Sequence, residues 1–89
     1  MIIRLESADD RAASFEIERL AFKRDLEAEI ARTVANEEGS FALVAEDGDT
    51  MIGHVQMSRG WIGDTPVVAL GPIGVLPERQ GGGCGGALV

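Results

Sequence analysis

A glycine-rich run near the end of the chain is the feature that most restricts how this sequence can fold. Five of the six residues from Gly81 to Gly86 are glycine, and Ala87-Leu88-Val89 follow them. Glycine leaves the backbone amides uncovered and permits positive φ. A helix that begins there presents its first amides without intrahelical partners and favours an anion at that end. The run therefore predicts a turn and helix start that bind phosphate.

Two common phosphate-binding motifs fit this run poorly. A P-loop ends in Gly-Lys-Ser/Thr, and no lysine occurs after Lys23. The dinucleotide-binding pattern Gly-x-Gly-x-x-Gly has a literal match at Gly81, Gly83 and Gly86. In that motif, however, the first glycine directly follows a buried parallel strand, whereas four residues beginning with Pro77 intervene here. We discard the P-loop and regard the dinucleotide match as weak.

The rest of the sequence predicts one strand, two helices and then three antiparallel strands. Two segments have apolar residues at helical spacing, and Ser7 and Asp25 are suitable residues to begin them. After Gly39 the apolar pattern becomes extended, and two turn clusters divide it. The predicted strands are 1–5, 41–46, 50–58 and 67–76, and the predicted helices are 8–22 and the segment from Asp25 towards Gly39.

These helices are expected to lie on one face of the sheet. Their apolar stripes predict that Phe15, Phe22 and Leu26 belong to the core, whereas Glu18 faces mostly away from it. Trp61 is either an aromatic residue of a substrate loop or a residue that packs against its own hairpin, and we favour packing.

Charge and composition exclude several classes of function. The 89 residues are 45% apolar and 26% charged, which is typical of one soluble domain. The net charge is −7 and the eight basic residues are scattered singly, so a nucleic-acid-binding face is not expected. The longest apolar run contains two glycines and a proline, which argues against a membrane span. Cys84 and His54 are single, so the sequence predicts neither a disulfide nor a metal site, and we expect a cytoplasmic protein.

The chain is also short enough for its core to be marginal. The last predicted strand leaves one apolar edge without a neighbour, and such edges pair with other chains. We therefore expect a homo-oligomer, in the simplest case a dimer.

A longer segment around the glycine run resembles motif A of the GNAT-superfamily N-acetyltransferases. The family has Arg/Gln-x-x-Gly-x-Gly/Ala in the loop and Ile-x-Val-x-Pro in the preceding strand. Together the two patterns are more specific than either alone. The matching residues are Gln80, Gly83 and Gly85 in the loop and Ile73, Val75 and Pro77 before it.

The resemblance implies an α/β (α+β) fold with a GNAT-like mixed sheet, in the order β-α-α-β-β-β-(α), as one acetyl-CoA-binding domain over residues 1–89. It implies acetyl transfer from acetyl-CoA to an amine of a small molecule or peptide. The strand would be bulged and would bind pantetheine through its backbone, and the loop would bind the pyrophosphate. The implied cofactor-binding residues are Ile73, Val75, Gln80, Gly81, Gly82, Gly83, Cys84, Gly85 and Gly86.

The chain departs from the family pattern in ways that affect activity. Relatives often have Arg or Lys where this chain has Gly82, so one phosphate-directed charge is absent. The sequence has no tyrosine, which often supplies the acid, and it ends in the first turn of the helix after the loop. We therefore expect the first half of the fold, with absent or very weak transfer activity. The alternative is a non-catalytic fragment that binds CoA or oligomerises.

The general base is not fixed by the sequence. Transfer to an amine requires a base, and Glu78, His54 and Glu46 are candidates by residue type only. Cys84 lies at a predicted helix start, where a thiolate is favoured. The family has an aliphatic core residue at that position, and we favour the core interpretation.

Overall fold

Short extended segments between tight turns form a four-stranded antiparallel sheet in the computed structural model, which describes residues 1–88. The strands are β1 (Ile2–Leu5), β2 (Phe41–Asp47), β3 (Thr50–Ile62) and β4 (Thr65–Val75), in the spatial order β1-β2-β3-β4. The helices are α1 (Arg11–Phe22), α2 (Leu26–Ala35) and α3 (Cys84–Leu88), with 3-10 turns at Ala8–Asp10 and Pro77–Arg79. The predicted order of elements is confirmed. Val89 lies outside the described residues.

Two-residue turns connect the last three strands. Gly48 and Gly63 occupy the first positions of these turns with φ of 63° and 59°, a conformation that glycine adopts without strain. The β3–β4 hairpin is longer than predicted, since β3 continues to Ile62 and β4 begins at Thr65. The exposed tip of the hairpin carries Trp61, which is 71% exposed. The expectation that this side chain packs against its hairpin is therefore wrong.

Helices cover both faces of the sheet. His54 contacts Glu18 of α1, whereas a Cβ at the preceding Gly53 would lie 2.7 Å from Sγ of Cys84 in α3. Successive strand residues point to opposite faces, so α1 and α3 lie on opposite sides. Contacts of α2 with β3 and β4 place it on the α1 side, as predicted.

The core on the α3 side is apolar. Cys84 and Leu88 of the short helix close it from outside the sheet, at 3% and 1% exposure. A five-residue helix does not persist alone in water, so this packing is what stabilises α3. The buried cluster consists of Ala45, Ile52, Val55, Met57, Cys84 and Leu88.

The core on the α1 side is partly polar. The buried residues of α1 are Ser14, Ile17 and Glu18. Phe22 and Leu26 are 40% and 50% exposed, so their prediction as core residues is wrong. The prediction that Glu18 faces away from the core is also wrong, because this side chain is fully buried. Contact with β3 and β4 decides which stripe of α1 is covered.

Candidate functional site

Strand β4 contains one more residue than β3 over a short stretch. Val55 pairs with Ile73, whereas Met57 pairs with Leu70, so the register shifts between these pairs. An extra residue of this kind is a β-bulge, which bends the strand and redirects its backbone groups. The bulge lies directly before the strand residues of the predicted site.

Glycine and proline account for the position of the bulge. A Cβ at Gly71 would lie 2.9 Å from the carbonyl oxygen of Gln56, so a larger residue would push the strands apart. Pro72 has no backbone N–H to donate to a ladder. The predicted bulge at these two residues is observed.

Ile73 and Val75 pack against the α3-side core and are partly buried. Within residues 1–88, β4 pairs only with β3. The opposite edge of β4 therefore presents backbone groups without a strand partner in the described chain.

The loop after β4 is tied to the strand by side chains at its beginning. Nε2 of Gln80 donates a hydrogen bond to the carbonyl oxygen of Val75 at 3.0 Å. Arg79 donates to the carboxylate of Asp47 at the end of β2. Gln80 thus fixes where the glycine run leaves the strand.

The glycine run itself alternates in backbone conformation. Gly81 and Gly83 have φ of 85° and 84°, and Gly82 between them does not have positive φ. Alternation of this kind turns successive N–H groups to one side and forms a concave anion-binding nest. A Cβ at Gly81, Gly83 or Gly86 would meet no atom within 4 Å, so the space above the run is open.

Helix α3 begins directly after this nest. The amide of Ala87 donates to the carbonyl oxygen of Gly83 at 3.0 Å, so the amides at the start of the helix have no intrahelical partner. The backbone of Gly85 lies in α3. Burial raises the pKa of the Cys84 thiol despite the opposing charge of Arg79. This supports the interpretation of Cys84 as a core residue.

The three candidate bases lie in different places. Glu46 is at the end of β2 and accepts a hydrogen bond from Arg4. Glu78 is exposed in the 3-10 turn before the glycine run. His54 is fully buried on the α1 side of β3, opposite Gly74 of β4. Of the three, only His54 lies in the strand that pairs with β4.

His54 lies between two carboxylates, and we refer to Glu6, His54 and Glu18 as the buried triad. Nδ1 of His54 lies 2.7 Å from Oε2 of Glu18, a hydrogen-bond distance. Nε2 lies 3.2 Å from Oε2 of Glu6, which is ion-pair distance without the alignment of a hydrogen bond. The side chain of Glu6 is 6% exposed and that of Glu18 is 0% exposed.

The triad members shift each other's protonation. Burial lowers the pKa of His54, but the hydrogen bond with Glu18, the close contact with Glu6 and the charges of both glutamates outweigh it, so the pKa is raised. Burial raises the pKa of Glu18, and His54 offsets this only in part. Burial also opposes ionisation of Glu6, but His54 and Ser14 outweigh it and the pKa is lowered. The triad therefore favours an imidazolium between the two side chains.

We expect the thermal unfolding midpoint to fall as the pH rises above 6.5, the ordinary pKa of histidine. A raised pKa in the folded state stabilises the protein below the ordinary value, and this stabilisation is lost as the pH passes the folded value. Glu18, whose pKa is also raised, likewise lowers the stability as the pH rises, beginning at a lower pH than His54. Glu6, with its lowered pKa, stabilises the fold above pH 4.5 and loses this effect on acidification.

The measurement is thermal unfolding followed by circular dichroism between about pH 5 and pH 9. His54 is the only histidine, so His54→Gln should remove the part of the alkaline decline that is due to imidazole. Equal decline in wild type and variant would contradict this assignment.

Sequence reasoning missed Glu6 and Glu18. Glu18 shares the buried stripe of α1 with Ser14 and Ile17, but contact with β3 and β4 decides which stripe is buried, so no signal for it exists in the sequence. Glu6 gave no local signal, because it lies between β1 and the 3-10 turn and meets His54 only through the fold.

Within residues 1–88, no helix is both long and apolar enough to cross a membrane. In the same residues, no three His, Cys, Asp or Glu side chains converge as metal ligands.

The sequence model of the acetyltransferase (GNAT) family matches residues 4–89. A GNAT family acetyltransferase from Brucella melitensis, solved in complex with acetyl-CoA, is 35% identical with a TM-score of 0.83. The comparison covers 98% of this chain and 62% of the Brucella chain, so this chain spans less than two thirds of that relative. Among curated proteins, no sequence matches significantly.

Two aminoglycoside acetyltransferases share the fold. The 6′-N-acetyltransferase from Acinetobacter haemolyticus, solved without ligand, is 20% identical with a TM-score of 0.71 over 99% of this chain and 66% of that one. An aminoglycoside 6′-N-acetyltransferase complexed with coenzyme A is 23% identical with a TM-score of 0.75, over 99% of this chain and 51% of that one.

Proposed function

Because the chain belongs to the acetyltransferase (GNAT) family, we propose that it binds acetyl-CoA along β4 and the glycine run and serves acetyl transfer to an amine. The observation that carries this proposal is the bulged strand followed, after the short 3-10 turn, by the nest of Gly81 to Gly83. The acetyl-CoA complex of the Brucella relative supports it.

Each part of the site has its own contribution to acetyl-CoA binding. The backbone of Ile73 and Val75 binds the amides of pantetheine, since the free edge of β4 offers hydrogen-bonding groups in an extended row. Residues 80–86, which include Gly82, Cys84 and Gly85, bind the pyrophosphate with backbone amides. Open space above Gly81, Gly83 and Gly86 leaves room for phosphate oxygens close to the chain.

Acetyl transfer needs the acceptor amine to be neutral. The amine nitrogen then attacks the thioester carbonyl carbon to form the C–N bond. The C–S bond breaks, the nitrogen loses one proton, and the CoA sulfur takes up one proton. Acidic side chains outnumber basic ones in this chain by 15 to 8, which favours the approach of a cationic acceptor. We propose a small-molecule or peptide amine as acceptor, with no affinity for nucleic acid or membranes.

We also propose that residues 1–89 form a single acetyl-CoA-binding domain that works in the cytoplasm as a homo-oligomer, in the simplest case a dimer. Apolar side chains on the long hairpin support self-association. Trp61 and Ile62 are 71% and 72% exposed, and Val68 and Leu70 are about half exposed. Exposed apolar groups gathered on one element are typical of an interface.

Calorimetric titration with acetyl-CoA tests the binding part of this proposal, and release of the CoA thiol in the presence of a panel of primary amines tests the transfer part. We expect saturable binding of one acetyl-CoA per chain. Absence of binding would overturn the proposed function.

Binding without transfer would favour the alternative, a CoA-binding or oligomerising module. The specific observation behind this alternative is the exposed apolar surface of the β3–β4 hairpin, where Trp61 and Ile62 are 71% and 72% exposed.

A further inference from the structure

The buried triad lies inside the fold, beside the bulged strand. It places three ionisable side chains between α1 and β3, at 0 to 6% exposure. Burial of charge is costly unless partners compensate it. We therefore expect the triad to have a role beyond packing, and its position next to β4 indicates that role.

Glu18 connects the triad to the bulged strand. A Cβ at Gly74 would lie 3.0 Å from Cδ and 3.2 Å from Cα of Glu18, and closer still to Oε1. Helix α1 therefore rests directly on the backbone of β4 between Ile73 and Val75. Oε1 of Glu18 is buried and has no hydrogen-bond partner among the described residues.

The protonation of His54 decides whether both carboxylates are held. An imidazolium carries an N–H on each ring nitrogen, one hydrogen-bonded to Glu18 and one at ion-pair distance from Glu6, whereas a neutral imidazole has a single N–H. Loss of the proton leaves either Glu6 or Glu18 as a buried carboxylate without a donor, which is unfavourable. The strength with which α1 is held on Gly74 therefore depends on pH.

The triad also has a route to solvent. Glu6 lines a cavity of about 350 Å³ together with Arg11, Ser40 and Gln56. From this cavity inward, the ionisable side chains follow in the order Glu6, His54 and Glu18. A proton on the buried imidazole can thus exchange with water without opening the sheet.

Other charged groups near the triad are few. On α1, Nε of Arg11 lies 3.9 Å from Glu6. On α2, the charge of Glu27 raises the pKa of Glu18, and Arg24 pairs with that same Glu27. Among the described residues, the part of strand β4 that lies against Glu18 is Gly74, which carries no charge.

We propose that Glu18 and His54 are positioning residues of the acetyl-CoA site, which hold β4 at Gly74 and couple acetyl-CoA binding to a proton on the triad. This inference depends on the proposed function, because it assigns the coupling to the same strand. Acetyl-CoA that binds the backbone of Ile73 and Val75 requires the held form of β4. Binding therefore favours the imidazolium, and by reciprocity the imidazolium favours binding.

The experiment measures the dissociation constant of acetyl-CoA by calorimetry between about pH 6 and pH 9, where a perturbed histidine titrates. For wild type we expect the affinity to weaken by about tenfold with rising pH, the change that corresponds to one unit of pKa coupling. Calorimetry in buffers of different ionisation enthalpy should show proton uptake on binding. Titration of the ligand's own phosphates contributes equally to every variant.

Glu18→Gln and His54→Gln should each remove this extra pH dependence. Glu16→Gln is the matched control, because Glu16 lies on the same helix with a 51% exposed side chain and pairs only with Arg19 among the described residues. It should behave as wild type. A wild-type pH profile no steeper than that of Glu18→Gln would overturn the coupling.

A measurement on wild type covers the case in which both triad variants fail to fold. His54 is the only histidine, so its imidazole resonances can be titrated by NMR without assignment by mutation. The pKa of His54 should rise when acetyl-CoA is bound, and an unchanged pKa with bound acetyl-CoA overturns this inference alone. Absence of acetyl-CoA binding at every pH overturns the proposed function as well.

Discussion

Replacement of Gly83 by valine is expected to weaken acetyl-CoA binding by about a hundredfold or more, the loss of roughly two charge-assisted hydrogen bonds. Gly83 has φ of 84°, and a β-branched residue does not adopt such a backbone without strain. The chain would rotate to relieve that strain. The amides that form the nest would then no longer point to one side, and the valine side chain would occupy the space above it.

Gly63→Val is the matched control for this prediction. Gly63 has φ of 59° in the turn between β3 and β4, so the substitution imposes a similar strain outside the glycine run. It should lower the unfolding midpoint without changing the affinity of correctly folded protein for acetyl-CoA. Equal affinity of wild type and Gly83→Val in calorimetric titration would show that the nest does not bind the pyrophosphate.

Gly85→Val is expected to differ from Gly83→Val in its effect on the affinity for acetyl-CoA. The backbone of Gly85 is helical, so valine there does not have to adopt a positive φ, and valine has a higher helix propensity than glycine. Its effect on affinity should therefore be smaller than that of Gly83→Val. A larger loss of acetyl-CoA affinity in Gly83→Val than in Gly85→Val would show that backbone conformation matters in the glycine run. Similar losses would show that side-chain bulk matters.

The glycine run could be predicted from sequence because its signal is local, and the resemblance to the GNAT family implied the bulge in the strand before it. Gly71 and Pro72 disfavour a regular ladder wherever the strand is placed. Five glycines in the run from Gly81 to Gly86 permit the positive φ that the structure has at Gly81 and Gly83. The motif that resembles the GNAT family depends on these same residues, and the family assignment is confirmed.

The helix faces could not be predicted in the same way. Phe22 of α1 and Leu26 of α2 lie on plausible apolar stripes, yet they are substantially exposed because a different stripe of each helix is buried. The polar Glu18 is buried because His54 and Gly74 lie beneath it. Which stripe is covered depends on strand pairing between residues far apart in sequence, and periodicity alone does not contain that information.

The sequence could not distinguish between the three candidate bases either, because they were proposed by residue type. Glu46 and Glu78 are as plausible as His54 in a sequence, but Glu46 is engaged with Arg4 and Glu78 is exposed. His54 is distinguished only by its two carboxylate neighbours. Which residue removes the proton from the amine stays a prediction for all three.

Replacement of Gly74 by alanine is expected to destabilise the fold. The new Cβ would lie 3.0 Å from Cδ and 3.2 Å from the backbone Cα of Glu18. The side chain of Glu18 has little freedom to move, because Oε2 is hydrogen-bonded to Nδ1 of His54. Either α1 shifts away from the sheet or the triad breaks, and overpacking of this kind costs about 1–3 kcal/mol.

A double-mutant cycle with Glu18→Ala separates these two possibilities. Glu18→Ala removes Oε1 and Cδ but leaves Cα in place, so part of the space for the new methyl group is created. We expect the two substitutions to be non-additive, with Gly74→Ala costing less free energy of unfolding in the Glu18→Ala background. Chemical denaturation of the four proteins provides the measurement. Strict additivity would mean that the Glu18 side chain does not press on β4, and the proposed link between the triad and the acetyl-CoA strand would then lose its structural basis.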